Sequence, residues 1–147
     1  MRIQSRVYGE IDISERQVIQ FPVGLFGFEH LHKYALLDAT QPPFYWLQSI
    51  EESELAFVMV NPYDLRPDYV LDVPQEDLEA IQYEDDKDIL VFAIVTIPED
   101  RAQTSANLQG PVLINRVHQL GCQSISLNPE WKTKHFFAEE LGAARSK

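Results

Sequence analysis

Between Ile3 and Leu127 short stretches of alternating or continuous apolar residues follow one another, most of them closed by Gly, Pro, Asn, Asp or Ser. Period-two alternation buries one face of a strand, and frequent turn signals keep the strands short. The chain therefore reads as a succession of strands and hairpins. Ile3, Ser5 and Val7 run into Tyr8 and Gly9 and return through Ile11 and Ile13. QVIQF, Gln17 to Phe21, keeps the pattern until Pro22 removes a ladder donor and VGLFGFEH turns the chain at Gly24 and Gly27. KYALLD, FYWLQSI, LAFVMV and YVLDV read as further strands, set off by turns at Gln41 to Pro43, Glu51 to Ser53 and Asn61 to Pro67. Ile89 to Ile97, Pro111 to Asn115 and CQSISL, Cys122 to Leu127, complete the set.

One stretch reads as helix. In PQEDLEAIQ, Pro74 suits the first helical position, Glu76 and Asp77 complement the N-terminal dipole, and Leu78 and Ile81 share a face. The expected fold is all-β or β-rich: a small antiparallel β-barrel-like single domain with one or two short helices. Closure is expected because it removes sheet edges that would recruit other chains. A chain of 147 residues can bury one ordinary core without disulfides or metal. The barrel domain is expected over residues 1–135, and residues 136–147 form a C-terminal tail, helical or disordered.

A formal charge of −11 argues against direct nucleic-acid binding, whose affinity comes from clustered Lys and Arg. The acidity has two open explanations, attraction of a basic protein partner or plain solubility. Glu76, Asp77, Glu79, Glu84, Asp85, Asp86 and Asp88 cluster as a solvated face, without the ligand spacing and glycine of a calcium loop. No metal or other cofactor is expected. Cys122 is the sole cysteine, so no intrachain disulfide forms, which fits a cytoplasmic setting. The N-terminus lacks the apolar core of a signal peptide, and ILVFAIVTI falls far short of the roughly 20 residues that span a bilayer. No membrane association is expected.

A search for catalytic patterns returns little. GLFGFE lacks the Lys-Ser/Thr pair of a phosphate loop and carries Phe26 and Phe28 where a phosphate would sit. His30 and His32 are too few to hold zinc and lie in a charged turn. His118 and Cys122 stand four residues apart as a possible base and thiolate, with Gly121 between them expected to end any helix. A thiol enzyme or a small-ligand barrel is the alternative they leave open. The aromatic residues offer more. In PFYWLQS the alternation turns at least one of Phe44, Tyr45 and Trp46 away from the others, and NPYDLRPDY adds Tyr63 and Tyr69 in a Pro-rich turn. Such rings serve either as barrel filling or as protein-binding anchors.

TSANLQGPVLIN, Thr104 to Asn115, together with GLFGFE, PFYWLQS, NPYDLRPDY and GCQSISL, resembles the flagellar assembly factor FliW family. In that family a T-x-A-N-L stretch leads through Pro into an apolar strand ending in Asn. The colinear match runs from about Ile3 to His135. Gln109 and Gly110 replace a more apolar pair, which implies a looser hinge. The resemblance implies a small barrel-like protein without enzymatic activity, monomeric when free. It implies two alternative partners, flagellin and the RNA-binding translational repressor CsrA, whose capture releases flagellin mRNA from repression. Partner-binding residues expected on this basis are Phe44, Tyr63, Tyr69 and Asn107 for flagellin, and Glu84, Asp85, Asp86 and Asp88 for the basic repressor. Asn107 and Asn115 are also expected to satisfy turn backbone at the two ends of the strand they bracket. Thr104 to Leu108 is then either architectural or a rim that touches a partner.

Overall fold

The computed structural model describes residues 1–140. Strands β1 (Arg2–Ser5) and β2 (Gly9–Asp12) form the expected N-terminal hairpin, with Ile3 opposite Ile11. Gly9 takes the left-handed φ of +69° that the turn requires, and the Ser5 hydroxyl accepts from the Tyr8 N–H and donates to the Gly9 carbonyl. The remaining strands are β3 (Val18–Gln20), β4 (Lys33–Asp38), β5 (Phe44–Ser49), β6 (Ala56–Val60), β7 (Ile89–Thr96), β8 (Ser105–Ala106), β9 (Val112–Asn115), β10 (Leu120–Gln123) and β11 (His135–Phe136).

Seven of them close into a barrel, β3-β4-β5-β6-β7-β9-β10. Neighbours are antiparallel except at the seam, where β10 meets β3 in parallel at Leu120 and Gln20. Gln119, at a left-handed φ of 56°, clamps this seam: its carbonyl accepts from the Gln20 N–H, and its side-chain amide donates to the carbonyls of Glu15 and Val18. Opposite its β6 edge, β7 divides its length between β9, which pairs with Ile89 to Phe92, and β8, which pairs with Val95 and Thr96. β11 adds to the outer side of β8 and spans the boundary expected between residues 135 and 136. The expected tail beyond it lies mostly outside the described residues.

Alternation along the strands sends one set of side chains inward. Phe21, Tyr34, Leu47, Met59, Phe92, Val112 and Ile114 fill the barrel. The outward set is covered on three sides. The β1-β2 hairpin lays Ile3 and Ile13 over Ala35, Leu37 and Trp46. A helix from Gln75 to Ala80 (α2) brings Leu78 and Ile81 onto Leu113 and Cys122. The C-terminal segment places Trp131 against Tyr69, Val60 and Val95. Phe44, Tyr45 and Trp46 consequently belong to three different packing layers and are all half-buried.

Polar pins hold these layers on. Gln48 is 1% exposed; its carbonyl oxygen accepts from the Arg6 N–H of the hairpin, and its amide donates to the carbonyls of Ser49, Ser53 and Leu55. Asn115 receives the N–H groups of Val117 and His118 and donates to the carbonyls of Ile81 and Gln82, joining the end of α2 to the β9-β10 hairpin.

Three expectations need correction. YVLDV is extended but joins no sheet among the described residues; its Asp72 carbonyl accepts from the Leu127 N–H. The strand expected at Cys122 to Leu127 starts earlier and stops at Gln123. Beyond it Ser124 still donates to the Pro111 carbonyl, but proline has no N–H to return, so the ladder lapses. Pro74 is the N-cap of α2, one place before the first helical position. A helix not foreseen, α1 (Pro62–Leu65), lies within NPYDLRPDY, with the Asn61 side chain capping Tyr63.

Gly121 is a strand residue pressed against a ring, not a helix terminator. A Cβ there would come 2.5 to 2.9 Å from three atoms of the Phe21 ring, which is itself fully buried. Gly121→Ala is expected to destabilise the fold by about 1–3 kcal/mol, as overpacking does in close-packed cores. A urea midpoint equal to that of the unmodified chain would mean the ring can move aside.

Candidate partner-binding cavity

The segment from Asn61 to Val73 crosses one end of the barrel before α2 begins, and the chain leaves α2 through Tyr83 to enter β7. Between these passages lies a cavity of about 670 Å³. Tyr63, Tyr69 and Tyr83 line it from the covering segments, Tyr45 and Phe92 from the barrel, and Asp72 and Asp86 supply carboxylates. Three of the residues expected to bind partners, Tyr63, Tyr69 and Asp86, are thus brought to one place.

Each has a local reason to be there. The Asn61 cap and Pro62 start α1, which holds Tyr63 40% exposed and edge-on to Tyr69, with ring centroids 5.4 Å apart. Tyr69 is 3% exposed and packs on Trp131, centroids 4.9 Å apart. Its hydroxyl has no hydrogen-bond partner among the described residues, and burial pushes its pKa up to about 12, with the neighbouring Tyr63 adding to the rise. Burial, and then the Asp86 charge, raise the Tyr63 phenol as well. Asp86 accepts a short hydrogen bond from the Tyr83 hydroxyl, which holds that phenol protonated above its usual range.

Behind the cavity Arg66 anchors the wall. Its guanidinium lies 4.9 Å from the Trp131 ring centre and pairs with Asp68, Glu130 and Glu140. The Asp68 hydrogen bond and these carboxylates raise its pKa further despite partial burial. Glu140 also receives the Nδ1–H of His135, whose Nε2 accepts from the Lys132 N–H, so the ring is the neutral Nδ1–H tautomer.

The other expected site residues lie elsewhere. Phe44 stacks on Phe137, centroids 6.1 Å apart, in the outer layer beside Trp131. Asn107 accepts from the N–H groups of Gln109 and Gly110, closing the turn that leads into β9. Ser105, Ala106 and Leu108 around it are buried, while Thr104 and Asn107 are half-buried. The hinge is not loose: a Cβ on Gly110 would meet the Asn107 and Gln123 side chains at 3.0 Å. Glu84, Asp85 and Asp88 flank Asp86 with local tasks, Asp85 capping Lys87, Glu84 facing His118 at 3.8 Å and Asp88 facing Arg116 at 4.0 Å.

The thiol alternative loses its geometry. His118 sits in the β9-β10 turn beside Glu84, while Cys122 is buried in β10 with its Sγ 3.8 Å from the Asp77 carbonyl. Burial pushes the Cys122 thiol up to about 12, helped by Asp77, so the nucleophilic thiolate is disfavoured. Sequence reasoning missed Tyr83, although it directly precedes the acidic run, and missed Trp131 and Arg66, which no local pattern marks.

Comparison with known proteins agrees with this architecture across nearly the whole chain. The family described as FliW protein matches residues 2–137. The flagellar assembly factor FliW of Treponema denticola is 44% identical over 144 residues, covering 98% of each chain. That of Caldicellulosiruptor bescii is 38% identical over 145 residues, 99% of this chain and 95% of the relative. A crystal structure of the flagellar assembly factor FliW superposes with a TM-score of 0.86 at 34% identity, covering 93% of this chain and 96% of that one. With the strand-rich closed barrel and these full-length matches together, the chain belongs to the FliW family of flagellar assembly factors.

Proposed function

We propose that this protein is a non-enzymatic, cytoplasmic partner-switching factor, monomeric when free, that holds flagellin or, alternatively, the translational repressor CsrA. Capture of CsrA relieves repression of flagellin mRNA, and flagellin accumulating in the cytoplasm reverses this by occupying the factor. Family membership supports the role in flagellar assembly, and the resemblance implies the two partners. The observation that carries the binding role is the cavity itself, where an exposed Tyr63 stands beside Asp86 on a chain of net charge −11. Tyr63, Tyr69, Phe44 and Asn107 are the residues proposed to meet flagellin, with Tyr63 the most exposed of the four. The run from Glu84 to Asp88 steers the basic repressor.

Titration calorimetry with each partner, repeated with the other saturating, tests this. Both partners are expected to bind and to exclude one another, and CsrA affinity is expected to fall as salt rises. Failure of both to bind overturns the proposal. Glu84→Lys combined with Asp86→Lys is expected to slow CsrA association about tenfold with the fold intact, since both positions are exposed. An unchanged association rate removes this segment from the encounter surface.

A further inference from the structure

We infer that the tyrosine-lined cavity is a receptor for a single cationic side chain, Arg or Lys, presented on a basic segment of a protein partner. This rests on the proposed binding role only for the existence of such a partner; the chemistry is argued from the cavity.

Four tyrosines and Phe92 surround the space, and aromatic faces attract cations through their negative quadrupole. Asp72 and Asp86 add full negative charge, and no lining residue carries a positive one. The nearby cations are already engaged: Arg66 by Asp68, Glu130 and Glu140, and Lys87 by Asp85. Asp86 makes no ion pair among the described residues; its contact is the neutral Tyr83 hydroxyl. The buried Tyr69 hydroxyl is an independent sign. Tyr69 lines the cavity and its buried hydroxyl has no hydrogen-bond partner among the described residues, so an N–H brought in by a ligand would satisfy it once the ring shifts slightly toward the cavity.

Other occupants fit less well. A hydrocarbon group would strip water from Asp86 and leave the Tyr69 hydroxyl unpaired. An anion would meet two carboxylates. A hard metal ion needs more oxygen ligands held together than the site offers, and no cluster of three or more His, Cys, Asp or Glu occurs among the described residues. A guanidinium or ammonium on an aliphatic stem meets every feature at once, its stem against Val91 and Leu71 and its head between the rings and Asp86.

The test uses the full chain and a capped peptide, acetyl-Gly-Ser-Arg-Ser-Gly-amide, followed by the ring resonances of the tyrosines in NMR at low salt. The control replaces Arg with citrulline, which has the same shape and no charge. The Arg peptide is expected to shift the rings of Tyr63, Tyr69 and Tyr83, and the citrulline peptide to bind about tenfold more weakly. Asp86→Asn is expected to reduce Arg-peptide affinity several-fold with the spectrum otherwise retained. Tyr69→Phe is expected to weaken the peptide while leaving the melting temperature the same or higher, because it removes an unsatisfied hydroxyl. Equal binding of the two peptides, shifts outside the cavity, or no shifts up to about 10 mM peptide overturns the inference. If the Arg peptide binds here but neither flagellin nor CsrA does, the inference stands and the proposed function falls. If both proteins bind and exclude one another while Asp86→Asn and Tyr69→Phe change neither, the function stands and this inference falls.

Discussion

Trp131→Ala is expected to lower stability by about 3–5 kcal/mol, a large part of what a domain of this size possesses. Trp131 is 1% exposed and joins elements that share no sheet: Tyr69 after α1, Arg66 at its end, and His135 in β11. Removing the indole empties the layer over β6, β7 and β8 and strips Arg66 of its cation–π contact. The cavity should lose its back wall together with the stability, since Tyr69 rests on the same ring. Trp131→Phe is expected to cost much less, because it keeps an aromatic plate and removes an indole N–H that has no partner among the described residues. Chemical denaturation of the two variants decides the matter. Equal and small losses would show that the C-terminal layer is an accessory to a barrel stable without it.

Alkaline unfolding is the second large expected effect. Tyr34 and Tyr69 are buried phenols pushed up to about 12, and Cys122 is a buried thiol pushed to the same value. In the unfolded chain they ionise near 10 and 9. At pH 8 all three are protonated in both states, and the stability linked to them is fully present. As pH rises through 9 and 10 the unfolded chain loses protons that the folded chain keeps, so unfolding becomes easier until the folded groups also ionise near 12. Each group removes on the order of 2–4 kcal/mol over that window. Together they approach the whole stability of an ordinary domain. Urea midpoints taken from pH 8 to 11 should fall steeply, and Tyr69→Phe should make the fall shallower. A flat profile would mean these groups reach water in the folded state.

How far the residues announced all this depended on whether a neighbour in sequence was also the neighbour in space. KYALLD, FYWLQS, LAFVMV and ILVFAIVT became β4 to β7 because each pairs with the next, and their alternation records a real inside and outside. YVLDV alternates just as well, with Tyr69 buried and Val70 62% exposed, yet its pattern records a segment lying across a barrel end, where no strand is near enough to pair. The Asn107 and Asn115 turns were legible because an Asx turn is local. Tyr63, Tyr69 and Asp86 were each singled out from composition and turn context, but their convergence was not, because it depends on the path that carries residues 61–73 and 83–86 to one opening. Trp131, Arg66 and Glu140 form the least legible group: their contacts span up to 74 positions, and no periodicity encodes such a meeting.

The parallel seam sets a clock on how the barrel can be made. Gln20 cannot be joined to Leu120 or clamped by Gln119 until both have left the ribosome, and at roughly 5–20 residues per second the wait is on the order of 5–20 s. Throughout that interval β3 has a sister only in β4, so a nascent chain carries an open sheet whose free edge is matched to a segment not yet synthesised. Closing so distant a contact is entropically costly and slow, and truncation before residue 120 is expected to remove the seam and leave the barrel open.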